Sequence, residues 1–178
     1  MHAPSHPVLI QVEKIYKKGK DIFDSVTAME IITSPAEENT LAKIVKEKNV
    51  FAAVLDVQKY SGPLYEAMKE GSVIARFGVG YDGIDLVKAK RNHLLVTNTP
   101  GVLESTVAEF TVFLAGEVLR KCGRANEEIK NGEWNSVMGN ELNGKVWAII
   151  GLGKIGKRLS RTLSFGFGVK VLACKKNI

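Results

Sequence analysis

The chain has 178 residues, enough for one domain or two small domains with a real hydrophobic core. Hydrophobic residues make up 45% and charged residues 25%, as in an ordinary globular protein, and no apolar run is long enough to span a membrane. The net charge of +6 comes from scattered lysines and arginines without a basic stripe. Scattered charge suits small anions about as well as nucleic acid, and a solvated basic surface is the simplest interpretation. The composition therefore predicts neither a nucleic-acid interface nor a membrane segment.

The two cysteines, Cys122 and Cys174, have neither a metal-binding nor a redox spacing. We expect them to be buried thiols in a reducing compartment. The N-terminal residues lack the apolar segment of a secretory signal, so the expected location is the cytoplasm.

The first part of the chain alternates short apolar runs with helical patterns. This alternation predicts right-handed crossovers on a parallel sheet. Asp85 is expected to be the N-cap of the last helix in this part, and Asp82 a turn residue. Strands are predicted at 8–12, 29–32, 51–55, 73–77 and 94–96, and helices at 14–25, after Pro35, at 64–69 and at 85–91.

The alternation stops at Thr99-Pro100-Gly101, and a long helix over 104–121 follows. A largely buried helix is predicted here. A second helix is expected at 125–131. We place the domain boundary between residues 98 and 99, giving domains 1–98 and 99–178. The apolar face of the long helix is formed by Val107, Phe110, Leu114 and Val118, widened by Ala108, Ala115 and Leu119.

The apolar run 146–150 leads directly into GLGKIG (151–156), a match to the G-x-G-x-x-G pattern. Leu159 and Leu163 continue at helical spacing after Ile155, and 169–173 reads as a second buried strand. Gly151 allows the tight turn, Gly153 lets backbone approach a pyrophosphate, and Gly156 lets the helix pack on the sheet. With the helix start at Lys154 and Ile155, this context predicts dinucleotide binding rather than a flexible loop.

Four stretches together resemble the D-isomer-specific 2-hydroxyacid dehydrogenases. They are RFGVGYDGID (76–85), NTPG (98–101), TVAE (106–109) and GLGKIG (151–156), in the family's order and spacing. The resemblance implies an α/β protein, with a flavodoxin-like parallel-sheet substrate domain followed by an incomplete Rossmann domain. It also implies an oxidoreductase that moves a hydride between NAD(P)H and a 2-oxo or 2-hydroxy acid, of the glyoxylate, hydroxypyruvate or 3-phosphoglycerate class.

The resemblance also gives roles to particular residues. The backbone N–H groups of Val79 and Gly80 are expected to hold the substrate carboxylate in the cleft between the domains. The glycines of Gly78-Val79-Gly80 also suit a sharp strand-to-helix turn. Arg76 either adds charge for the substrate or pairs with a structural carboxylate. Thr99 and Thr106 match positions near the cofactor. Trp134, in a segment similar to the family's Gly-x-Trp, is expected to pack against its neighbours.

Cofactor choice depends on the residues that follow the second Rossmann strand. An acidic residue about 20 positions beyond the glycines usually binds the adenine ribose of NAD. Here Lys175 and Lys176 stand at that distance. Lysine cannot accept those hydrogen bonds but can neutralise a 2′-phosphate, so the cofactor is NADP by hypothesis, with NAD as the alternative.

By the resemblance, the family's catalytic arginine, glutamate and histidine lie beyond Ile178. Val79 and Gly80 would recognise only the carboxylate common to all candidate substrates. We therefore expect a C-terminally truncated chain that is inactive alone, with a homodimer interface on the helix 104–121. The alternative is a non-catalytic module for nucleotide sensing or dimerisation, similar to the family's corepressor branch. No metal site is predicted.

Overall fold

The computed structural model describes residues 7–176. The chain divides into two compact units with the boundary between Pro100 and Gly101. We call residues 7–100 the N-terminal unit and residues 101–176 the C-terminal unit.

The N-terminal unit contains five parallel strands in the order β2-β1-β3-β4-β5. This is the order of a flavodoxin-like sheet, which confirms the predicted fold class. The strands are β1 (Val8–Val12), β2 (Glu30–Ser34), β3 (Ala52–Leu55), β4 (Val73–Arg76) and β5 (Leu95–Thr97). The helices are α1 (Glu13–Lys18), α2 (Lys20–Asp24), α3 (Glu38–Glu47), α4 (Pro63–Ala67) and α5 (Leu86–Arg91).

One face of this sheet carries the main core. Ile10, Leu55 and Ile74 are fully buried and pack with Leu64 and Tyr65 of α4 in one cluster. Because side chains alternate along a strand, this face fixes the register of the whole sheet. The carboxyl ends of β3 and β4 are thereby adjacent, with Leu55 paired to Arg76.

The C-terminal unit contains one βαβ arrangement with parallel strands. Ala108, Val112, Ile149, Leu159 and Leu163 form its core, and Leu163 is fully buried. After its last α-helix the chain continues as a π-helical turn, Thr162–Gly166. The elements are α6 (Glu104–Arg120), α7 (Cys122–Lys130), β6 (Val146–Ile150), α8 (Lys154–Arg161) and β7 (Lys170–Cys174).

The single helix predicted for residues 14–25 is wrong. The structure has two short helices, α1 and α2, separated at Gly19. The N–H of Gly19 bonds the carbonyls of Ile15 and Tyr16, which ends α1. The apolar spacing continues through the break, so periodicity alone could not locate it.

The prediction that the long helix α6 is largely buried is also wrong. Only Ala108 and Val112 are buried, while Phe110 is 59% exposed and Val118 is 75% exposed. The reason is that α6 packs against α8 and the π-helical turn along one narrow side. Ala108 is buried and Ala115 and Leu119 are half-buried, whereas the other members of the apolar band, Val107, Phe110, Leu114 and Val118, are exposed.

Two further packing predictions fail. Cys122 and Cys174 are exposed, because the first begins α7 and the second ends a strand of a two-stranded sheet. Trp134 lies in an extended segment after α7 and is 90% exposed. Ile155 is 41% exposed, whereas Leu159 and Leu163 are buried as predicted. No helix within residues 7–176 is long and apolar enough to cross a membrane.

Candidate functional site

A turn of three residues, Gly78-Val79-Gly80, follows β4 directly. Gly78 has φ +140°, a backbone conformation that favours glycine. Two neighbouring groups hold the carbonyls of this turn: the N–H of Thr99 donates to Gly78 at 3.0 Å, and Nδ2 of Asn98 donates to Val79 at 2.8 Å. With its carbonyls engaged, the turn has a fixed orientation.

The N–H groups of the same turn are differently placed. Gly78 donates to the carbonyl of Arg76 at 2.9 Å. Within residues 7–176, the N–H groups of Val79 and Gly80 donate to no protein acceptor, and both residues are exposed. Two adjacent N–H groups without a protein acceptor on a glycine-rich turn are able to bind an anion, as in a nest. The structure thus brings the predicted donors together.

The guanidinium of Arg76 lies against Gly78 of the turn. A Cβ placed on Gly78 would lie 2.9 Å from Nη1 of Arg76, so a side chain there would displace the guanidinium. The guanidinium donates to the carbonyl of Phe77. Among residues 7–176 no carboxylate lies within 4.0 Å of it, so the alternative of a structural ion pair has no partner in the described part of the chain. A cation therefore lies against Gly78, the residue that directly precedes the two available N–H groups.

The loop that continues from the turn ends at α5. The carboxylate of Asp85 accepts from the N–H of Lys88 at 3.0 Å, which confirms Asp85 as the predicted N-cap. Asp82 is exposed in the intervening turn. Nearby, burial and the negative charge of Asp56 raise the pKa of Tyr60 to about 12, so its hydroxyl stays neutral; this buried hydroxyl has no hydrogen-bond partner among residues 7–176.

The glycine motif of the C-terminal unit forms a second turn, between β6 and α8. Gly151 has φ +100°, and its N–H donates to the carbonyl of Cys174 at 2.9 Å. A Cβ on Gly156 would lie 2.5 Å from the carbonyl oxygen of Gly151, so only glycine fits there. A Cβ on Gly153 would meet nothing within 4 Å. Gly151 is thus required by its positive φ and Gly156 by the lack of space for a Cβ, whereas no contact within the protein requires Gly153.

The start of α8 fits a dinucleotide pyrophosphate. Gly153 is the N-cap, has no side-chain cap and faces open space, so the first N–H groups of α8, at Lys154 and Ile155, have no capping side chain in front of them. Free N–H groups and the positive end of the helix dipole attract phosphate. A Cβ at Gly153 would occupy the space that such a ligand needs.

The remaining predicted cofactor residues are Lys154, Lys175, Lys176, Thr99 and Thr106. Lys175 and Lys176 are exposed and follow β7, whose Cys174 pairs with Ile150, so they lie at the same edge of the sheet as the glycine turn. Nζ of Lys154 lies 4.0 Å from Glu104 at the start of α6. Thr106 is exposed on α6, whereas Thr99 belongs to the N-terminal unit and holds Gly78.

Three residues have structural roles that the sequence does not predict. Asn98 and Thr99 anchor the first turn, and Tyr65 bonds the end of its loop: the hydroxyl accepts from the N–H of Asp85 at 2.7 Å. Nothing in the local sequence signals Asn98, because its partner Val79 is 19 residues away. Nothing in the local sequence signals Tyr65, since its partners are 5 and 20 residues away.

Fold and turns together define an α/β protein with parallel sheets and two glycine-rich turns that suit anions. The chain matches the family model of the D-isomer specific 2-hydroxyacid dehydrogenase catalytic domain over residues 9–167, so it belongs to this family. This match confirms the resemblance that the four motifs indicate.

Individual relatives agree. The chain is 33% identical to a hydroxypyruvate reductase from Thermotoga maritima, over 88% of this chain and 51% of the relative. It is 35% identical to a glyoxylate reductase from Thermofilum pendens, over 78% of this chain and 42% of the relative. The fold is similar to that of an NADPH-dependent glyoxylate/hydroxypyruvate reductase from Sinorhizobium meliloti, with TM-score 0.81 and 26% identity, over 97% of this chain and 56% of that one. The chain thus spans about half the length of these relatives.

Proposed function

We propose that the protein containing this chain transfers a hydride between a nicotinamide dinucleotide and C2 of a 2-oxo or 2-hydroxy acid. Family membership supports the reaction class. The single observation that carries the proposal is that the Arg76 guanidinium lies against Gly78, directly before the N–H groups of Val79 and Gly80, which have no protein acceptor within residues 7–176. That set of donors matches a carboxylate, the group that all substrates of this class share.

In this proposal the N-terminal unit binds the substrate carboxylate. The N–H groups of Val79 and Gly80 donate to its oxygens, and the guanidinium of Arg76 supplies the charge. The anchors at Asn98 and Thr99 keep the turn in its binding geometry before the substrate arrives, which lowers the entropic cost of orientation. The substrate would be glyoxylate, hydroxypyruvate or a related 2-oxo acid; the named activities of the relatives support this choice.

The C-terminal unit would bind the dinucleotide. Gly151, Gly153 and Gly156 shape the turn, the N–H groups of Lys154 and Ile155 face the pyrophosphate, and the nicotinamide supplies the hydride when bound. Thr99 and Thr106 are assigned to the neighbourhood of the cofactor on the resemblance alone. Lys175 and Lys176 would neutralise the 2′-phosphate of NADP.

The chemical step also needs a general base for the hydroxyl proton and a cation that orients the reacting acid. We assign these to the family's histidine and arginine, with its glutamate, which the resemblance places after Ile178. The chain alone is then expected to bind ligands without turnover. We keep the cytoplasmic location as a prediction.

We further propose a homodimer through α6. Its outward side carries Phe110, Phe113, Leu114 and Val118, all exposed in the single chain. Burying large apolar side chains of this kind drives association. Sedimentation should show a dimer that Val118→Glu dissociates. The control, Ile22→Glu, alters an equally exposed isoleucine on α2 and should leave the dimer intact.

The reaction is tested by hydroxypyruvate- and glyoxylate-dependent oxidation of NADPH. The polypeptide is assayed as it is encoded, with any residues that the reading frame adds beyond Ile178. Turnover that Arg76→Gln reduces mainly through KM of the 2-oxo acid would support the proposal. Tight NADPH binding and dimerisation without turnover by that polypeptide would favour the non-catalytic module instead.

Cofactor preference is tested separately. We expect a lower Kd for NADPH than for NADH. Lys175→Ser combined with Lys176→Ser should remove about thirtyfold of that preference, since two exposed charge contacts of about 1 kcal/mol each amount to about 2 kcal/mol. The charge-matched control is Lys130→Ser combined with Lys157→Ser, which removes two exposed lysines on α7 and α8. A preference of tenfold or more for NADH in the unaltered protein would contradict the NADP assignment.

A further inference from the structure

We infer that Tyr65 is a positioning residue for the carboxylate-binding turn. This inference rests on the proposed function, because it concerns the same turn. The loop from Phe77 to Asp85, here called the nest loop, runs from β4 to α5 and contains Gly78-Val79-Gly80. Its geometry decides where the two available N–H groups point.

The nest loop is held on two sides. On one side Thr99 and Asn98 bond the carbonyls of Gly78 and Val79. On the other side it meets the segment after β3, where the N–H of Tyr60 donates to the carbonyl of Gly83 at 2.9 Å. That second contact is close: a Cβ on Gly83 would lie 2.3 Å from the carbonyl oxygen of Gln58.

On the second side, the hydroxyl of Tyr65 connects the segment after β3 to the end of the nest loop. Its hydroxyl donates to the carbonyl of Tyr60 at 3.0 Å and accepts from the N–H of Asp85 at 2.7 Å. The ring is fully buried, and burial raises the pKa of the hydroxyl, so it remains a neutral donor and acceptor. One side chain thus fixes both the segment after β3 and the end of the nest loop.

The helix that carries Tyr65 is itself tethered. The Glu38 carboxylate, at the start of α3, accepts N–H groups from Ser61, Gly62 and Leu64 around the start of α4. Burial opposes ionisation of Glu38, but these backbone hydrogen bonds outweigh burial and lower its pKa. The hydroxyl of Tyr65 is therefore held in place by packing and by this anchored helix start, so it can define a loop position rather than follow it.

The consequence is a substrate site shaped by a residue that does not touch substrate. Without the hydroxyl, the Asp85 N–H and the Tyr60 carbonyl lose their shared partner, and the far end of the nest loop is no longer tied to α4. The N–H groups of Val79 and Gly80 would then sample more orientations. Carboxylate binding should weaken, while the glycine turn, which belongs to the C-terminal unit, should bind dinucleotide unchanged.

The test uses the 178-residue chain with ¹⁵N-labelled backbone and oxalate as the probe. Oxalate should shift the Val79 and Gly80 amide resonances saturably, and Tyr65→Phe should raise its Kd about threefold or more with the NADPH affinity unchanged. Tyr16→Phe is the matched control, since it also removes a hydrogen-bonded tyrosine hydroxyl, at an exposed position bonded to Asp24. It should leave both affinities unaltered.

Two results overturn the inference. One is an unchanged oxalate Kd in a folded Tyr65→Phe chain, whatever its thermal stability. The other, which needs no variant, is rapid hydrogen exchange of the Asp85 amide in the unaltered chain, at the rate of exposed loop amides. An unaltered chain that shows no saturable oxalate shift would instead contradict the carboxylate site of the proposed function, and the inference with it.

Discussion

The two glycine-rich turns of this chain follow parallel strands, yet they are built in different ways. The turn after β4 has its carbonyls bonded by Asn98 and Thr99, and no helix begins within it. The turn after β6 leads straight into α8 and has open space at Gly153. The first turn offers two N–H groups and a guanidinium, and the second offers a helix start.

This difference separates the ligands that the turns suit. A helix start presents several N–H groups and a dipole, which match the extended charge of a pyrophosphate. Two N–H groups beside one guanidinium match a single carboxylate. The first turn depends on distant residues for its shape, whereas the second depends on its own glycines. Substitutions should therefore affect the two turns in different ways.

The largest effect is expected at the second turn. Gly156→Ala places a Cβ 2.5 Å from the Gly151 carbonyl oxygen, so the turn must move. Alanine ordinarily favours a helix, but here overpacking against backbone should dominate, lowering the free energy of unfolding by about 1–3 kcal/mol. NADPH affinity should fall about a hundredfold, measured by fluorescence titration.

Gly153→Ala is the matched control for that substitution. Gly153 has φ −81° and its Cβ would meet no protein atom within 4 Å, so stability should not fall. NADPH affinity should still drop about tenfold, because the methyl group occupies the ligand's space. Equal losses of stability in both variants would contradict the distinction between the glycines.

The next largest effect is expected at Arg76. Arg76→Gln removes the cation beside Gly78 but retains hydrogen-bonding atoms. Because a hydrogen bond to a charged group contributes about 1.5–3 kcal/mol, oxalate should bind about tenfold more weakly or worse, as measured by calorimetry. Arg91→Gln, an exposed arginine at the end of α5, should leave oxalate binding unchanged. Equal weakening by both variants would indicate a non-specific charge effect.

A smaller effect is expected at Asn98. Asn98→Ala removes the Nδ2 donor to the Val79 carbonyl, which is exposed and can bond water instead. Oxalate affinity should fall about threefold, which corresponds to about 0.7 kcal/mol, with no change in NADPH affinity. Loss of NADPH affinity in this variant would mean that the two turns are not independent.

The sequence was sufficient for the fold because the signals that define it are local. Each strand of the N-terminal unit is a short apolar run, and their alternation with helices specified the parallel sheet. The glycine pattern at 151–156 specified the second turn for the same reason. Gly19 shows the limit, since the break between α1 and α2 depends on capping hydrogen bonds that periodicity does not encode.

Long-range contacts account for what the sequence could not predict. The anchoring of the first turn by Asn98, and of its loop by Tyr65, joins residues about 20 positions apart. The predicted burial of α6 was wrong because an apolar band indicates only that a helix packs against something. It does not indicate which side of the helix meets a neighbour. The predicted burial of Cys174 and packing of Trp134 were wrong because burial depends on neighbouring residues, which the type of one residue does not specify.

The smallest effect concerns the scaffold on which the first turn depends. Glu37 is the N-cap of α3, and the hydroxyl of Thr40, followed by the N–H groups of Thr40 and Asn39, lowers its pKa from 4.5 to about 2. A carboxyl with a lowered folded-state pKa stabilises the fold above its unfolded pKa, and this stabilisation disappears as the pH falls toward the folded value. Glu37→Gln should therefore melt at a slightly lower temperature than the unaltered chain near neutral pH, and the two melting temperatures should converge between about pH 4.5 and about pH 2.

Glu47→Gln, at the other end of α3, provides the control and should keep the acid dependence of the unaltered chain. A constant offset between Glu37→Gln and the unaltered chain down to about pH 2 would show that the Glu37 charge does not stabilise α3. Because α3 begins at Glu38, which anchors the helix bearing Tyr65, the same acid range should weaken oxalate binding slightly while the glycine turn after β6 is unaffected.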